Sequence, residues 1–110
     1  SITLDATGVL SVDGELLPKE FALHQNYPNP FNPTTNLRYD LPQDSHVLIS
    51  IYDIRGREVR TLVNENQTAG YRLLHWNATN NYGQPVAAGM YIYTIQAGDF
   101  RQVKKMILLK

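Results

Sequence analysis

Val47-Leu48-Ile49-Ser50-Ile51-Tyr52-Asp53-Ile54-Arg55-Gly56 reads as a strand running into a turn. Val47, Ile49 and Ile51 alternate with Leu48, Ser50 and Tyr52, and a period of two puts the first three on one face of a pleated strand. Arg55-Gly56 then interrupts the run, as turn residues do. The same pattern recurs along the chain. Leu37, Tyr39 and Leu41 alternate with Arg38 and Asp40, and further apolar runs cover Val59–Val63, Tyr71–Trp76, Met90–Ala97 and Phe100–Leu109. With Phe21–Gln25 these make seven candidate strands. Turn-forming clusters separate them at Pro42–Ser45, Asn64–Gly70, Asn80–Gly83 and Ala97–Asp99. No segment sustains the 3.6-residue period of a helix. Short strands at regular spacing with turns between them predict an all-β antiparallel sandwich.

Side-chain parity selects the core. Leu74 and Trp76 share a face on the fifth run, as do Tyr91, Tyr93 and Ile95 on the sixth. Trp76 is expected between the sheets, which turns His75 outward. Tyr91 follows Gly89 closely. Its hydroxyl either caps a nearby backbone group, as in a tyrosine corner, or the ring is plain core filling.

One stretch breaks the alternation. Gln25-Asn26-Tyr27-Pro28-Asn29-Pro30-Phe31-Asn32-Pro33-Thr34-Thr35 carries three prolines interleaved with asparagines and two aromatics. Proline fixes φ, lacks the N–H and pushes the preceding residue toward extended geometry. The segment is therefore neither helix nor central strand. An ordered, extended crossover is expected, with Tyr27 and Phe31 as buried anchors.

Composition narrows the function classes. A chain of 110 residues makes one domain able to bury a core without staples. It has no cysteine, which excludes a disulfide framework or a thiolate metal site. Ten basic and ten acidic residues balance, so there is no electrostatic case for nucleic acid or an anionic membrane. No run reaches the length of a membrane span, and the start lacks the basic and apolar regions of a signal peptide. Ser1 in place of Met suggests a chain cut from a larger one. Residues 1–20 differ from the rest: Ile2, Leu4, Val9, Leu10 and Val12 alternate loosely with polar residues up to Pro18. They read as a linker or the tail of a preceding domain, leaving 21–110 as the sandwich.

Little points to catalysis. His24, His46 and His75 fall on different runs, and none has a His, Asp or Glu at metal-ligand spacing. Neither a catalytic constellation nor a cofactor is expected. The Asn77–Gly83 loop holds Asn77, Asn80 and Asn81, which suit turns better than calcium ligation. Asn66-Gln67-Thr68 and Asn77-Ala78-Thr79 match the glycosylation acceptor pattern and receive no function. The last strand stands out. Met106 and Leu108 lie on one face and Ile107 and Leu109 on the other, with Lys104, Lys105 and Lys110 as a positive rim. A sandwich strand normally shows one face to water. A strand apolar on both faces has a second surface to cover, either by the segment Ser1–Val12 or a loop of this chain, or by a partner.

The motifs, taken in order, resemble a known family. The Gln25–Thr35 opening, Leu41-Pro42, the strand and turn Val47–Gly56, Val59–Val63, Ala69-Gly70, Trp76-Asn77, Gly83, Ala88–Tyr93 and Lys104–Lys110 resemble the C-terminal sorting domain, type A, of the type IX secretion system. The resemblance covers Phe21–Lys110 and extends to the immunoglobulin-like domain of flagellar hook-capping proteins. Ala88 stands where serine is frequent in the family, and Asn77 and Asn81 stand where aspartates are common. The resemblance implies an immunoglobulin-like sandwich of about seven strands. It also implies a non-catalytic signal that takes an N-terminally attached cargo from the periplasm through the outer membrane, for secretion or surface display. The implied partners are the outer-membrane secretion and sortase-like machinery, without nucleic acid or membrane insertion. Gly89, Tyr91, Lys104, Lys105, Met106, Leu108 and Lys110 are the residues expected to carry recognition. The alternative is a passive or carbohydrate-binding accessory module of an extracellular enzyme, with Tyr27, Tyr52, Tyr71 and Tyr82 as candidate sugar platforms.

Overall fold

The computed structural model describes residues 16–109. The loose alternation of Ile2–Val12, and the reading of Lys110 as a recognition residue, lie outside the described residues. Among the described residues seven strands form: β1 (Ala22–Leu23), β2 (Thr35–Leu41), β3 (Ser45–Asp53), β4 (Glu58–Gln67), β5 (Gly70–Trp76), β6 (Gly89–Ala97) and β7 (Phe100–Leu108). They build two antiparallel sheets, ordered β1-β2-β5 and β4-β3-β6-β7. This is the expected immunoglobulin-like sandwich.

Parity places the core correctly. Val47, Ile49 and Ile51 of β3, Tyr93 and Ile95 of β6, and Leu37, Tyr39 and Leu41 of β2 are all buried between the sheets. Trp76 fills the middle. Its ring meets Phe31 at 5.8 Å and Tyr91 edge-on at 5.5 Å, and its indole N–H donates to the Thr79 carbonyl at 2.9 Å. This gives a large apolar ring its one polar partner, as buried indoles require. His75 is exposed, as the parity of Trp76 demands.

Two boundaries differ from the sequence reading. β1 shrinks to two residues. β4 runs on through Asn64, Glu65 and Asn66, whose composition favours a turn. Their partners are Leu48, Val47 and His46 of β3, so the growing hairpin ladder overrides their weak strand propensity. Register shifts at Ile49/Ser50 and Ile51/Tyr52 blur the alternation of β4.

The proline-rich crossover is ordered, and its peptide bonds before Pro28, Pro30 and Pro33 are cis. Phe31 is buried as expected, but Tyr27 is 77% exposed. Tyr27 exchanges backbone hydrogen bonds with Asn36 and so extends the β2 ladder, where neighbouring residues alternate faces. Asn26 takes the inward position instead. Its amide nitrogen donates to the Pro28 carbonyl at 3.1 Å and to Thr35 Oγ1 at 3.0 Å. Prolines offer no N–H, and the Asn26 side chain supplies donors within the crossover. At the start of the described chain Pro18 is buried, and Phe21 stacks on Phe100 at 5.3 Å.

Candidate functional site

The β6–β7 hairpin brings most of the expected recognition residues together. Gly89 faces Leu108, Tyr91 faces Met106, and Tyr93 faces Lys104. Gly89 opens β6 at φ +147°, a conformation that residues with a Cβ rarely adopt. The chain can therefore swing into the strand and set Tyr91 inward. The Tyr91 hydroxyl donates to the Ala87 carbonyl at 2.6 Å, four residues upstream. Both readings for Tyr91 hold: its hydroxyl caps a backbone carbonyl and its ring packs in the core against Trp76, and burial raises its hydroxyl above the ordinary tyrosine value.

The last strand divides by parity. Met106 and Leu108 are fully buried and belong to the core, so the packing surface they were expected to offer a partner is not available in the folded domain. Lys104 shares their inward parity and is half-buried, whereas Lys105 points out. The two lysines therefore do not form one rim. The outward face carries Val103, Lys105, Ile107 and Leu109, continued on β6 by Met90 opposite Ile107 and Ile92 opposite Lys105. Val103, Leu109, Met90 and Ile107 are 61%, 50%, 44% and 41% exposed. Arg101 and Lys105 lie along this apolar strip. The segment Phe100–Leu109 holds the signal for the strip, since every odd position from 101 faces out.

The upper edge of β7 is occupied by the crossover. The Phe31 N–H donates to the Ile107 carbonyl at 2.9 Å, and the Leu109 N–H donates to the Phe31 carbonyl at 2.8 Å. The Ile107 N–H donates to Asn29 Oδ1 at 2.9 Å. Gln25 Nε2 donates to the Lys105 carbonyl at 2.7 Å. The end of the last strand is thus held on one side by β6 and on the other by the crossover.

Other polar groups are tied into the scaffold. His24 Nε2 lies 2.9 Å from Asp40 Oδ2, a pairing between the residue that follows β1 and a residue of β2 that linear spacing does not reveal. His46 bridges Asn64 and Asn66. Asn80 Oδ1 accepts the N–H groups of Tyr82 and Gln84, which folds its loop as a turn. Asp53 Oδ1 accepts the N–H groups of Arg57 and Arg55, and these bonds hold its carboxyl below the ordinary value. Among the described residues no three His, Cys, Asp or Glu side chains meet as a metal-binding group. No helix among the described residues is long and apolar enough to cross a membrane.

The sequence model of the FlgD Ig-like domain matches residues 29–99, well over half of the chain. The chain belongs to the FlgD Ig-like domain family. The fold of this FlgD Ig-like domain is shared with solved structures of low sequence identity. One is dimeric latent PorU from Porphyromonas gingivalis, at TM-score 0.63 and 18% identity, covering 91% of this chain and 11% of PorU. Another is PorZ of the same organism, described as an essential bacterial surface component of the type-IX secretion system, at TM-score 0.54 and 18% identity over 82% of this chain and 11% of PorZ. A third is FLGD from P. aeruginosa, at TM-score 0.53 and 20% identity over 72% of this chain and 67% of that one. The chain spans about a tenth of the PorU and PorZ structures. No curated protein matches it in sequence.

Proposed function

We propose that this domain is a non-catalytic export module of the type A sorting kind, which takes an N-terminally attached cargo from the periplasm to the cell surface or medium. The exposed strip of Met90, Val103, Ile107 and Leu109 beside Arg101 and Lys105 carries the reading. An exposed apolar patch flanked by cations is a surface for a partner. It sits on the strand where the family resemblance puts the sorting signal, and the likeness to a type-IX secretion component supports the same setting. Gly89 and Tyr91 act by holding the hairpin, and Met106 and Leu108 by anchoring its last strand. Lys105 presents charge on the strip. Residues 21–110 form the sorting unit, with 1–20 as a linker or the tail of a preceding domain.

A reporter fused ahead of residue 21 tests it. Deleting Met106–Lys110 would not separate signal from fold, because it removes two core side chains and the partners of Phe31. The informative variant is Val103→Ser with Ile107→Ser, which changes only outward side chains. It should fold, by circular dichroism, and leave the reporter in the periplasm. A folded variant that is exported normally would remove this strip as the signal.

A further inference from the structure

The edges of the two sheets are not equally protected, a difference independent of the export reading. Natural sheets blunt their edges, because a free row of backbone groups invites another strand. β1 is cut to two residues. The edge of β7 is bonded by Phe31, Asn29 and Gln25, and its Gln102 side chain takes the Leu23 N–H at 3.3 Å. β4 carries two register shifts, and Asn81 docks on its edge. The Asn81 N–H donates to the Val59 carbonyl at 3.1 Å, and Asn81 Oδ1 accepts the Thr61 N–H at 3.0 Å. Among the described residues β5 has none of these devices. Its register with β2 is unbroken, and it holds no proline or lysine. Its outward Tyr71 and Leu73 are 63% and 55% exposed and line a concavity with Tyr27, Asn36 and Arg38.

We infer that two copies of this chain join through β5, antiparallel about a two-fold axis at Leu73. The pairing pattern shows which groups β5 offers. Asn36 exchanges backbone bonds with Tyr27, and the Arg38 carbonyl accepts from the His24 N–H, so even residues of β2 face away from β5. The odd ones, Thr35, Leu37, Tyr39 and Leu41, bond Trp76, Leu74, Arg72 and Gly70. That leaves the N–H and carbonyl groups of Tyr71, Leu73 and His75 on the free edge. A backbone edge selects a polypeptide strand over a sugar or a lipid. A second β5 fits this edge without remainder. Leu73, the middle residue of Gly70–Trp76, exchanges both bonds with its own copy. Tyr71 and His75 do the same with His75 and Tyr71 of the second copy, so every free group finds a partner. On the outward face leucine meets leucine and each tyrosine meets an imidazole. On the other face Arg72 stands opposite Leu74, so no charge meets its like. The Arg72 guanidinium is drawn away from the axis by the Thr68 carbonyl at 2.7 Å and hydroxyl at 2.6 Å.

Sedimentation velocity of the 110-residue chain from about 10 µM to about 1 mM tests the pairing, since so small an interface is weak. A rise from monomer that stops at dimer is expected, because a two-fold contact closes on itself. Leu73→Lys sets two ammonium groups face to face and should weaken association at least about tenfold, with unchanged circular dichroism. Val103→Ser with Ile107→Ser, on the other sheet, should leave it as it is. The chain has no cysteine, so Leu73→Cys reports the axis directly. Facing Cα atoms of a bonded pair lie about 5.5 Å apart, within disulfide reach, whereas position 71 lies about 14 Å from its own copy. Leu73→Cys should therefore cross-link under mild oxidation, and Tyr71→Cys should not. Exchange of the Leu73 amide should slow as concentration rises. A monomer throughout, growth past the dimer, or a folded Leu73→Lys variant that associates as wild type would each overturn the proposal. So would slow exchange at Leu73 at every concentration, which would assign the edge to a segment of the same chain. Loss of the dimer in the Val103→Ser, Ile107→Ser variant would move the contact to the other sheet and overturn it as well.

Discussion

Replacing Tyr93 by phenylalanine removes one oxygen and tests how the crossover is fastened. The Tyr93 hydroxyl lies between the sheets. It donates to the His24 carbonyl at 2.8 Å and accepts from the Asn26 N–H at 2.8 Å. Both partners belong to the segment that leaves β1. The two groups fare differently once the hydroxyl is gone. His24 is exposed, so its carbonyl can turn to water. Asn26 is only 2% exposed, and its N–H would be left buried without an acceptor. An orphaned buried donor costs about 1–3 kcal/mol, and about 2 kcal/mol is expected here. For a domain of this size that shift lowers the melting midpoint by roughly 8–16 °C. Urea unfolding gives the cleaner reading: the midpoint should fall while the slope against denaturant stays constant. A loss below about 0.5 kcal/mol would mean that the crossover does not depend on this bond, and the reasoning would fail.

Other perturbations probe the same geometry. Trp76→Ala should cost about 3–5 kcal/mol by opening a cavity against Phe31 and Tyr91, and a loss under about 1 kcal/mol by chemical denaturation would contradict its central place. Phe31→Ala should cost a similar amount, about 3–5 kcal/mol, whereas Tyr27→Ser should stay within about 0.5 kcal/mol; equal losses in the two would mean that their burial is misassigned. Burial pushes the Tyr93 hydroxyl up from 10.0 to about 12. The unfolded chain ionises this group first, so its contribution is intact below pH 10.0 and is lost as the pH rises through about 12. Tyr93→Phe should therefore lose stability less steeply than wild type over that window, and parallel curves would refute the assignment.

The strands are legible in the sequence because period-2 alternation is a local property. Val47, Ile49 and Ile51 need only their own spacing to be placed inside. The same parity, applied to the last strand with a packed core in mind, turns Met106 and Leu108 inward and separates Lys104 from Lys105. Tyr27 misleads for a different reason. Its aromatic ring argues for burial, but the bridge to Asn36 fixes its face, and that bridge joins residues of two segments. Asn26 and Thr35 are invisible as core residues, because polar side chains hold an inward place only through partners that spacing does not reveal. The extension of β4 comes from β3, and no reading of Asn64–Gln67 alone contains it. The candidate faces are legible in residue type and illegible in grouping. Tyr27, Leu73 and Arg38 meet only because β2 pairs with both the crossover and β5.

The junction of Phe31 with β7 also has a mechanical meaning. It is a parallel bridge, Phe31 to Leu108, whereas the strands of both sheets pair antiparallel among the described residues. Tension drawn backward through the chain at Phe31 and forward at Leu108 pulls the two partners in opposite directions along their common axis. The bonds on either side of Phe31, to the Ile107 carbonyl and from the Leu109 N–H, are then loaded together in shear. An antiparallel hairpin pulled at its open end unzips one bond at a time. A load passed from a cargo before β1 to a holder on the last strand would meet this clamp, and the sandwich would resist stretching at the place where its first and last segments touch.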